Sequence, residues 1–212
     1  MNMHHIIITG ASRGIGHATA LLYASMGWNI SICSRHCDYQ MTQTQDAITA
    51  AGGQYFSFCG DMGNAADAEE FLAKAVRTFG TPEILVNNAG ISHIGLLQDM
   101  TPMQWDDIIR TNLSSVFYTS RVIIPYFLQE KHGRIINVSS VWGSVGASTE
   151  VAYSTTKGGI NAFTKALAKE LAPSGIPVNA VACGMIDTSM NSFLDPEELA
   201  AVIDVRSSYF DE

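Results

Sequence analysis

The sequence predicts a doubly wound α/β fold, a parallel sheet with helices on both faces. Three observations predict it. Short apolar runs alternate with longer segments of helical period, and Gly, Asn, Asp and Ser gather just past the ends of those runs. The 212 residues suffice for one sizeable core but not comfortably for two. One domain over residues 1–212 is therefore expected, with no linker, internal repeat or low-complexity stretch to divide it.

The first strand is expected at His4–Thr9, around the β-branched run Ile6-Ile7-Ile8, and a glycine-rich turn then opens a helix at Gly16–Met26. A second apolar run, Asn29–Cys33, leads to a helix at Met41–Ala51, and a third, Tyr55–Cys59, leads to one at Ala65–Phe79. The fourth strand is Ile84–Asn87. The long helix expected next, Met103–Gln129, has its start marked by Thr101-Pro102, an N-cap followed by proline in the first turn. Strands at Arg134–Val138 and Val178–Ala182 flank a helix at Tyr153–Leu171, and a helical stretch at Pro196–Val205 follows.

Hydrophobic residues at 47% and charged residues at 15% suit a compact globular chain and exclude disorder. A net charge of -8, without clustered Lys and Arg, excludes nucleic acid as a partner. Cys33, Cys37, Cys59 and Cys183 match no zinc or redox spacing, so free thiols in a reducing compartment and no metal are expected. The N-terminus shows no leader pattern, and no stretch approaches the roughly 20 apolar residues of a bilayer span. These features predict a soluble, cytoplasmic protein with no membrane partner.

In doubly wound sheets, ligands bind at the carboxyl ends of the strands, near the point where strand order reverses. The first strand ends in Thr9-Gly10-Ala11-Ser12-Arg13-Gly14-Ile15-Gly16. Gly10 permits a tight turn, Gly14 lets backbone approach a pyrophosphate, and Gly16 allows close helix–strand packing, while the helix N-terminus offers N–H groups to the phosphates. Ser12 and Ile15 complete this turn. No Gly-Lys-Ser/Thr follows, so a nucleoside-triphosphate loop is excluded and a dinucleotide is the expected ligand. The second strand ends in Ser34-Arg35-His36 with no acid at its tip, so Arg35 and Arg13 are placed to clamp a ribose 2′-phosphate. NADP(H) is the preferred cofactor, and Asp38 further along the loop keeps NAD(H) possible. Asp61 and Asn87-Asn88-Ala89-Gly90 fall on the same sheet edge, although in isolation they read as turn residues.

The catalytic candidates lie after the fifth strand. Ser140 ends it, and Tyr153 comes thirteen residues later, with Lys157 four beyond on the same helix face. Carbonyl reduction needs an acid that protonates the oxygen as hydride reaches the carbon. Bringing a tyrosine from a pKa of roughly 10 to roughly 7 needs about 4 kcal/mol of preference for the phenolate. One cation about 4 Å away at an effective dielectric of about 20 supplies an interaction of that size. Ser140 is expected to hydrogen-bond the substrate oxygen.

The glycine turn, Asn-Asn-Ala-Gly, Ser140 and Tyr153-Ser154-Thr155-Thr156-Lys157, in this order, resemble the short-chain dehydrogenase/reductase family in its compact, Rossmann-type form. The resemblance runs from His4 to about Met190. The wording Gly133-Arg134-Ile135-Ile136-Asn137-Val138-Ser139-Ser140 and Ala152–Gly159 is most similar to the 3-oxoacyl-acyl-carrier-protein reductases. The resemblance implies an NAD(P)-dependent carbonyl reductase or alcohol dehydrogenase, acting on a small-molecule or acyl-carrier-protein-bound 3-oxoacyl thioester. It implies that Asn112 kinks the fourth helix and holds a water on a proton relay to Lys157, which also bonds the nicotinamide ribose. By the same resemblance Asp61 and Met62 contact adenine, Asn87, Ala89 and Gly90 line the adenosine side, and Ile186 and Thr188 contact the carboxamide and diphosphate. A homo-oligomer, dimer or tetramer, is implied as well.

Two departures from the family pattern stand out. Cys183-Gly184 replaces Pro-Gly after the sixth strand, which frees φ and adds an N–H beside the expected nicotinamide. The family's last helix and seventh strand are not evident before Glu212, which would leave Val178–Ala182 as an open apolar edge, affect oligomer formation, and favour as alternative a catalytically weak dinucleotide-binding protein. The loop Asn191-Ser192-Phe193-Leu194 is short for one that closes over substrate. His93, Ile94 and Trp142 are candidate pocket residues.

Overall fold

The structure, a computed structural model, describes residues 4–186 and Thr188. Strands β1 (His5–Thr9), β2 (Asn29–Ser34), β3 (Gln54–Cys59), β4 (Ile84–Asn87), β5 (Arg134–Ser140) and β6 (Val178–Cys183) form a sheet in the order β3-β2-β1-β4-β5-β6. Every pairing is parallel. The chain steps outward from β1 to β3, then returns to β4 on the other side of β1, so strand order reverses between β1 and β4. That switch point is where the crevice of a doubly wound sheet opens.

The run Ile6-Ile7-Ile8 shows why these strands read as continuously apolar. Successive side chains point to opposite faces, and here both faces are covered. Ile6 and Ile8 join Ile30, Ile32 and Val86 against α1 (Gly14–Ser25) and α2 (Tyr39–Ala50), through Ala20, Ala24, Met41 and Ile48. Ile7 turns the other way, with Leu85, Ile135 and Val178, into a core made by α3 (Ala65–Phe79), α5 (Ser115–Glu130) and α7 (Val151–Leu171). Phe71 and Phe127 are wholly buried there, and burying a side chain of that size contributes roughly 2–3 kcal/mol.

The predicted strands and helices agree with the structure to within a few residues, with one correction. The expected helix Met103–Gln129 is not continuous. It divides into α4 (Pro102–Ile109), a π-helical turn at Arg110–Ser114, and α5. Apolar periodicity runs through the break unchanged, which hides it in the sequence, whereas the start is visible: Thr101 accepts from Gln104 N, Gln104 bonds back to Thr101 N, and Pro102 follows. The short helix α6 (Trp142–Val145) has too little pattern to predict. Residues 189–212, which hold the Pro196–Val205 stretch and the Asn191–Leu194 loop, lie outside the described residues.

His5 is an ionisable group inside the fold. Its Nδ1–H donates to the Gly80 carbonyl at 2.9 Å and its Nε2 accepts from Ser31 Oγ at 2.8 Å, with 1% of the residue exposed. Burial pushes its pKa down from 6.5 to about 4, against a smaller opposing effect of the Gly80 bond. The unfolded chain therefore takes up a proton between those values while the folded one does not, so stability is full above pH 6.5 and declines towards pH 4. The expected loss is roughly 3 kcal/mol. Urea unfolding at pH 7 and pH 4.5 should show it for the wild type, and a His5→Asn variant should lose most of that pH difference.

Candidate active site

The crevice is built first by glycine. Gly10 and Gly14 have φ of +65° and +57°, the left-handed region that side chains with a Cβ disfavour. A Cβ on Gly16 would lie 2.5 Å from Gly10 O and 2.6 Å from Asn88 Nδ2, so the helix can approach β1 and β4 only with hydrogen at that position. The two strands are tied at the same place. Asn88 Nδ2 donates to Thr9 O and Gly10 O at 3.0 and 2.8 Å, and Thr9 Oγ1 accepts from the N–H groups of Asn88 and Ala89, each at 3.0 Å. Arg13, extended at φ −160°, stands at the N-cap of α1, and no side chain caps the helix.

A cleft of about 310 Å³ opens over this turn. It is lined by Gly10, Ser12, Arg13, Gly14, Ile15, Arg35, Asp61, Met62, Ala89, Gly90 and Thr188 among the expected cofactor contacts. His36, Asp38, Asn88, Ile91 and Thr111 line it too. An uncapped helix N-terminus under left-handed glycines, with arginines at one end, is a donor set that fits the pyrophosphate and ribose of a dinucleotide. Gly16 sits beneath the cleft as a packing residue.

Asn87 stands apart from the other expected contacts. Its side chain is turned into the core, where Nδ2 donates to Asn137 Oδ1 at 2.9 Å and Oδ1 accepts from Thr119 Oγ1 at 2.7 Å. Asn137 in turn donates to Thr164 Oγ1 at 2.9 Å, so β4, β5, α5 and α7 are joined by one buried polar network. The side chain of Asn87 thus fixes the sheet under the crevice instead of lining it.

Outside the lining of the cleft, Ser140 closes β5 and accepts from Trp142 N at 3.2 Å. Gly143 in α6 lies against α7, where a Cβ would be 2.6 Å from the Lys157 carbonyl carbon, and this close approach brings the end of β5 to Tyr153. Tyr153 and Ser140 share a hydrogen bond. Lys157 is 4% exposed; its Nζ donates to Val138 O at 2.8 Å and stands 5.5 Å from the centre of the Tyr153 ring. It also lies 3.7 Å from where a Cβ on the cleft-lining Gly90 would sit, which connects the pair to the crevice. Asn112, at the centre of the π turn, is fully buried; it accepts from Ile91 N and donates to Ile91 O, both at 2.8 Å, and donates to Thr156 Oγ1 at 3.1 Å.

The electrostatics correct the sequence arithmetic. The Tyr153 hydroxyl is held above its ordinary pKa of 10, chiefly by burial, while the Ser140 hydrogen bond pulls the other way. Burial pushes the Lys157 ammonium down to about 8. A lysine whose ammonium faces the ring and bonds a backbone carbonyl does not bring the phenol to neutrality, so Tyr153 holds its proton at pH 7.

The family model described as short chain dehydrogenase matches residues 4–199. The chain is 39% identical over 191 residues to the 3-oxoacyl-acyl-carrier-protein reductase FabG of Staphylococcus aureus, covering 90% of this chain and 78% of that one. To the Escherichia coli FabG it is 38% identical over 197 residues, or 93% and 79% of the two chains. A crystal structure of a protein from Sinorhizobium meliloti 1021, described as a short-chain alcohol dehydrogenase, superposes with a TM-score of 0.88 at 30% identity, over 95% of this chain and 80% of that one. The chain belongs to the short-chain dehydrogenase/reductase family.

As a short-chain dehydrogenase/reductase it is an NAD(P)-dependent oxidoreductase acting on CH–OH and C=O groups. No helix among the described residues is long and apolar enough to cross a membrane, and none of their His, Cys, Asp and Glu side chains group into a metal site. Thr9 and Asn88, which look like plain turn residues in the sequence, lock the switch point. Asp107 pairs with Arg35 and with Arg110, a cluster that only the three-residue spacing of Asp107 and Arg110 hinted at in the sequence.

Proposed function

We propose that this enzyme reduces 3-oxoacyl thioesters, carried on acyl carrier protein, to 3-hydroxyacyl thioesters with NADPH, within one dinucleotide-binding domain. The observation that carries the reading is the grouping of Tyr153, bonded to Ser140 and backed by Lys157, next to Gly90 of the glycine-floored cleft. Likeness to enzymes named as 3-oxoacyl-acyl-carrier-protein reductases supports the substrate class. So do exposed apolar side chains on two neighbouring segments: Ile94, Leu96 and Leu97 after β4, and Val145 and Val151 at the end of α6 and the start of α7, the segments being joined by Gly95 N–H donating to Thr149 O at 2.8 Å. An acyl chain needs such a surface, whereas a small polar ketone does not.

When bound, a reduced nicotinamide would supply the hydride, and Thr188, Ile186 and Lys157 are the residues that would hold it. Ser140 orients the carbonyl oxygen by a hydrogen bond, and Tyr153 gives that oxygen its proton as negative charge develops on it. The resulting phenolate is stabilised by Ser140 and by the buried ammonium of Lys157 beside the ring. Asn112, bonded to Ile91 and Thr156, ties the π turn to α7 and to the segment after β4. Its expected part in the proton relay falls to the turn it holds, because its own side-chain amide is committed.

Arg35 and Arg13 favour the 2′-phosphorylated cofactor. Replacing Arg35 by Asp should raise KM for NADPH at least tenfold, the loss of about one charge-assisted hydrogen bond, and should lower KM for NADH. Initial rates with acetoacetyl thioester and each cofactor test both parts of the reading. An Arg35→Asp enzyme with unchanged KM for NADPH would remove the cofactor assignment, and a wild type inactive on the thioester but active on small ketones would remove the substrate assignment.

A further inference from the structure

The adenine end of the cleft carries a closed ring of four charged side chains. Arg35 Nε stands 3.7 Å from Asp61 Oδ2, and Arg35 Nη2 stands 3.7 Å from Asp107 Oδ1. Arg110 completes the ring, with Nη1 3.5 Å from Asp61 Oδ2 and Nη2 2.7 Å from Asp107 Oδ1. Two guanidinium groups therefore face two carboxylates, and the cluster is neutral where the 2′-phosphate reading needs a cation.

The distances separate two ways in which Asp107 can act on Arg35. A carboxylate that positions an arginine holds it by hydrogen bonds of about 2.7–2.9 Å, in a forked pair. Neither carboxylate is that close to Arg35, whose hydrogen bond in this cluster goes from Nη2 to the Thr111 hydroxyl. Asp107 makes its short hydrogen bond to Arg110 instead, three residues along the same helix. It also accepts a long bond of 3.5 Å from the Thr111 hydroxyl, so it acts on Arg35 mainly as a charge and on its placement only through that weak contact. Asp61 lines the cleft, whereas Asp107 is not part of the lining.

We infer that Asp107 is a specificity-determining residue that opposes recognition of the cofactor's 2′-phosphate. Its carboxylate neutralises Arg35 and repels the incoming dianion, which keeps the enzyme's discrimination between NADPH and NADH small. The inference rests on the assignment of Arg35 to the 2′-phosphate. Removing the Asp107 charge leaves the cluster with a net positive charge and spares the Thr111 bond that orients Arg35.

The test is the Kd of NADPH and of NADH, measured by calorimetry on the intact chain for wild type, Asp107→Asn, Asp107→Glu and Arg35→Gln. Asparagine keeps the volume of Asp107 and an oxygen that accepts from Arg110. The expected result for Asp107→Asn is a fall in the NADPH Kd on the order of tenfold, the size of one screened charge–charge interaction at this range. Its NADH Kd should not move, which also reports that the site is folded, and the NADPH Kd should depend more steeply on salt. Asp107→Glu, which restores the charge, should return to the wild-type value. If Asp107→Asn leaves the NADPH Kd unchanged or raises it while Arg35→Gln weakens NADPH alone, the inference is overturned and the Arg35 assignment stands. If Arg35→Gln does not weaken NADPH, the 2′-phosphate reading fails and the inference falls with it.

Discussion

Tyr153→Phe is expected to lower kcat for thioester reduction by roughly three orders of magnitude while leaving NADPH affinity within a factor of two. The substitution removes one oxygen and keeps the ring, so the packing of α7 and the contact with Lys157 survive. What is lost is the proton. Burial holds it on the phenol above the ordinary pKa of 10, so the donor carries its proton at neutral pH. Lys157, buried and bonded to Val138 O, faces the ring and would have to give up its own stabilising charge. Ser140 is too weak an acid. Single-turnover kinetics and fluorescence titration of NADPH separate the two quantities. A variant that retained a tenth of the wild-type kcat would show that Tyr153 is not the donor.

Gly16→Val should remove cofactor binding and much of the stability together. A Cβ at residue 16 would meet Gly10 O at 2.5 Å, Asn88 Nδ2 at 2.6 Å and Ala11 Cα at 2.9 Å. Two of these are backbone, and the third is the amide that bonds Thr9 O and Gly10 O. Relief therefore requires α1 to move off the switch point or the β1–β4 tie to break. Overpacking of this kind costs about 1–3 kcal/mol or more, and the lost Asn88 bonds add about 1 kcal/mol each. Thermal unfolding should show a Tm lower by several degrees, and NADPH titration should show no saturable binding. Gly14→Ala is an instructive contrast. Its Cβ would be 3.4 Å from Thr188 Cγ2, ordinary contact, so only the left-handed φ of +57° opposes it and the effect should be milder.

Much of this site was legible in the sequence because its parts are tied to local pattern. Gly10, Gly14 and Gly16 announce a turn that only glycine can make, and Tyr153 and Lys157 announce a shared helix face. The strands were legible for a related reason: with Ile6 and Ile8 on one face and Ile7 on the other, a fully apolar run needs two covers. What escaped depends on side-chain contacts between residues far apart in the chain. The π turn at Asn112 is set by its bonds to Ile91 and Thr156, which no periodicity encodes. The inward turn of Asn87 is decided by Asn137 and Thr119, so a residue expected at the crevice belongs to its foundation. Likewise, the place of the Lys157 ammonium, 5.5 Å from the centre of the Tyr153 ring, is set by its bond to Val138 O.

The measurement that bears most directly on the whole account is the fate of the hydride. The intact enzyme is given acetoacetyl thioester and NADPH deuterated at the transferring carbon of the nicotinamide, and the product is examined by mass spectrometry and NMR. The account predicts a 3-hydroxybutyryl thioester with one deuterium on the hydroxyl-bearing carbon, and no such product from Tyr153→Phe on the same time scale. Saturable NADPH binding with unlabelled, unreduced thioester would contradict it.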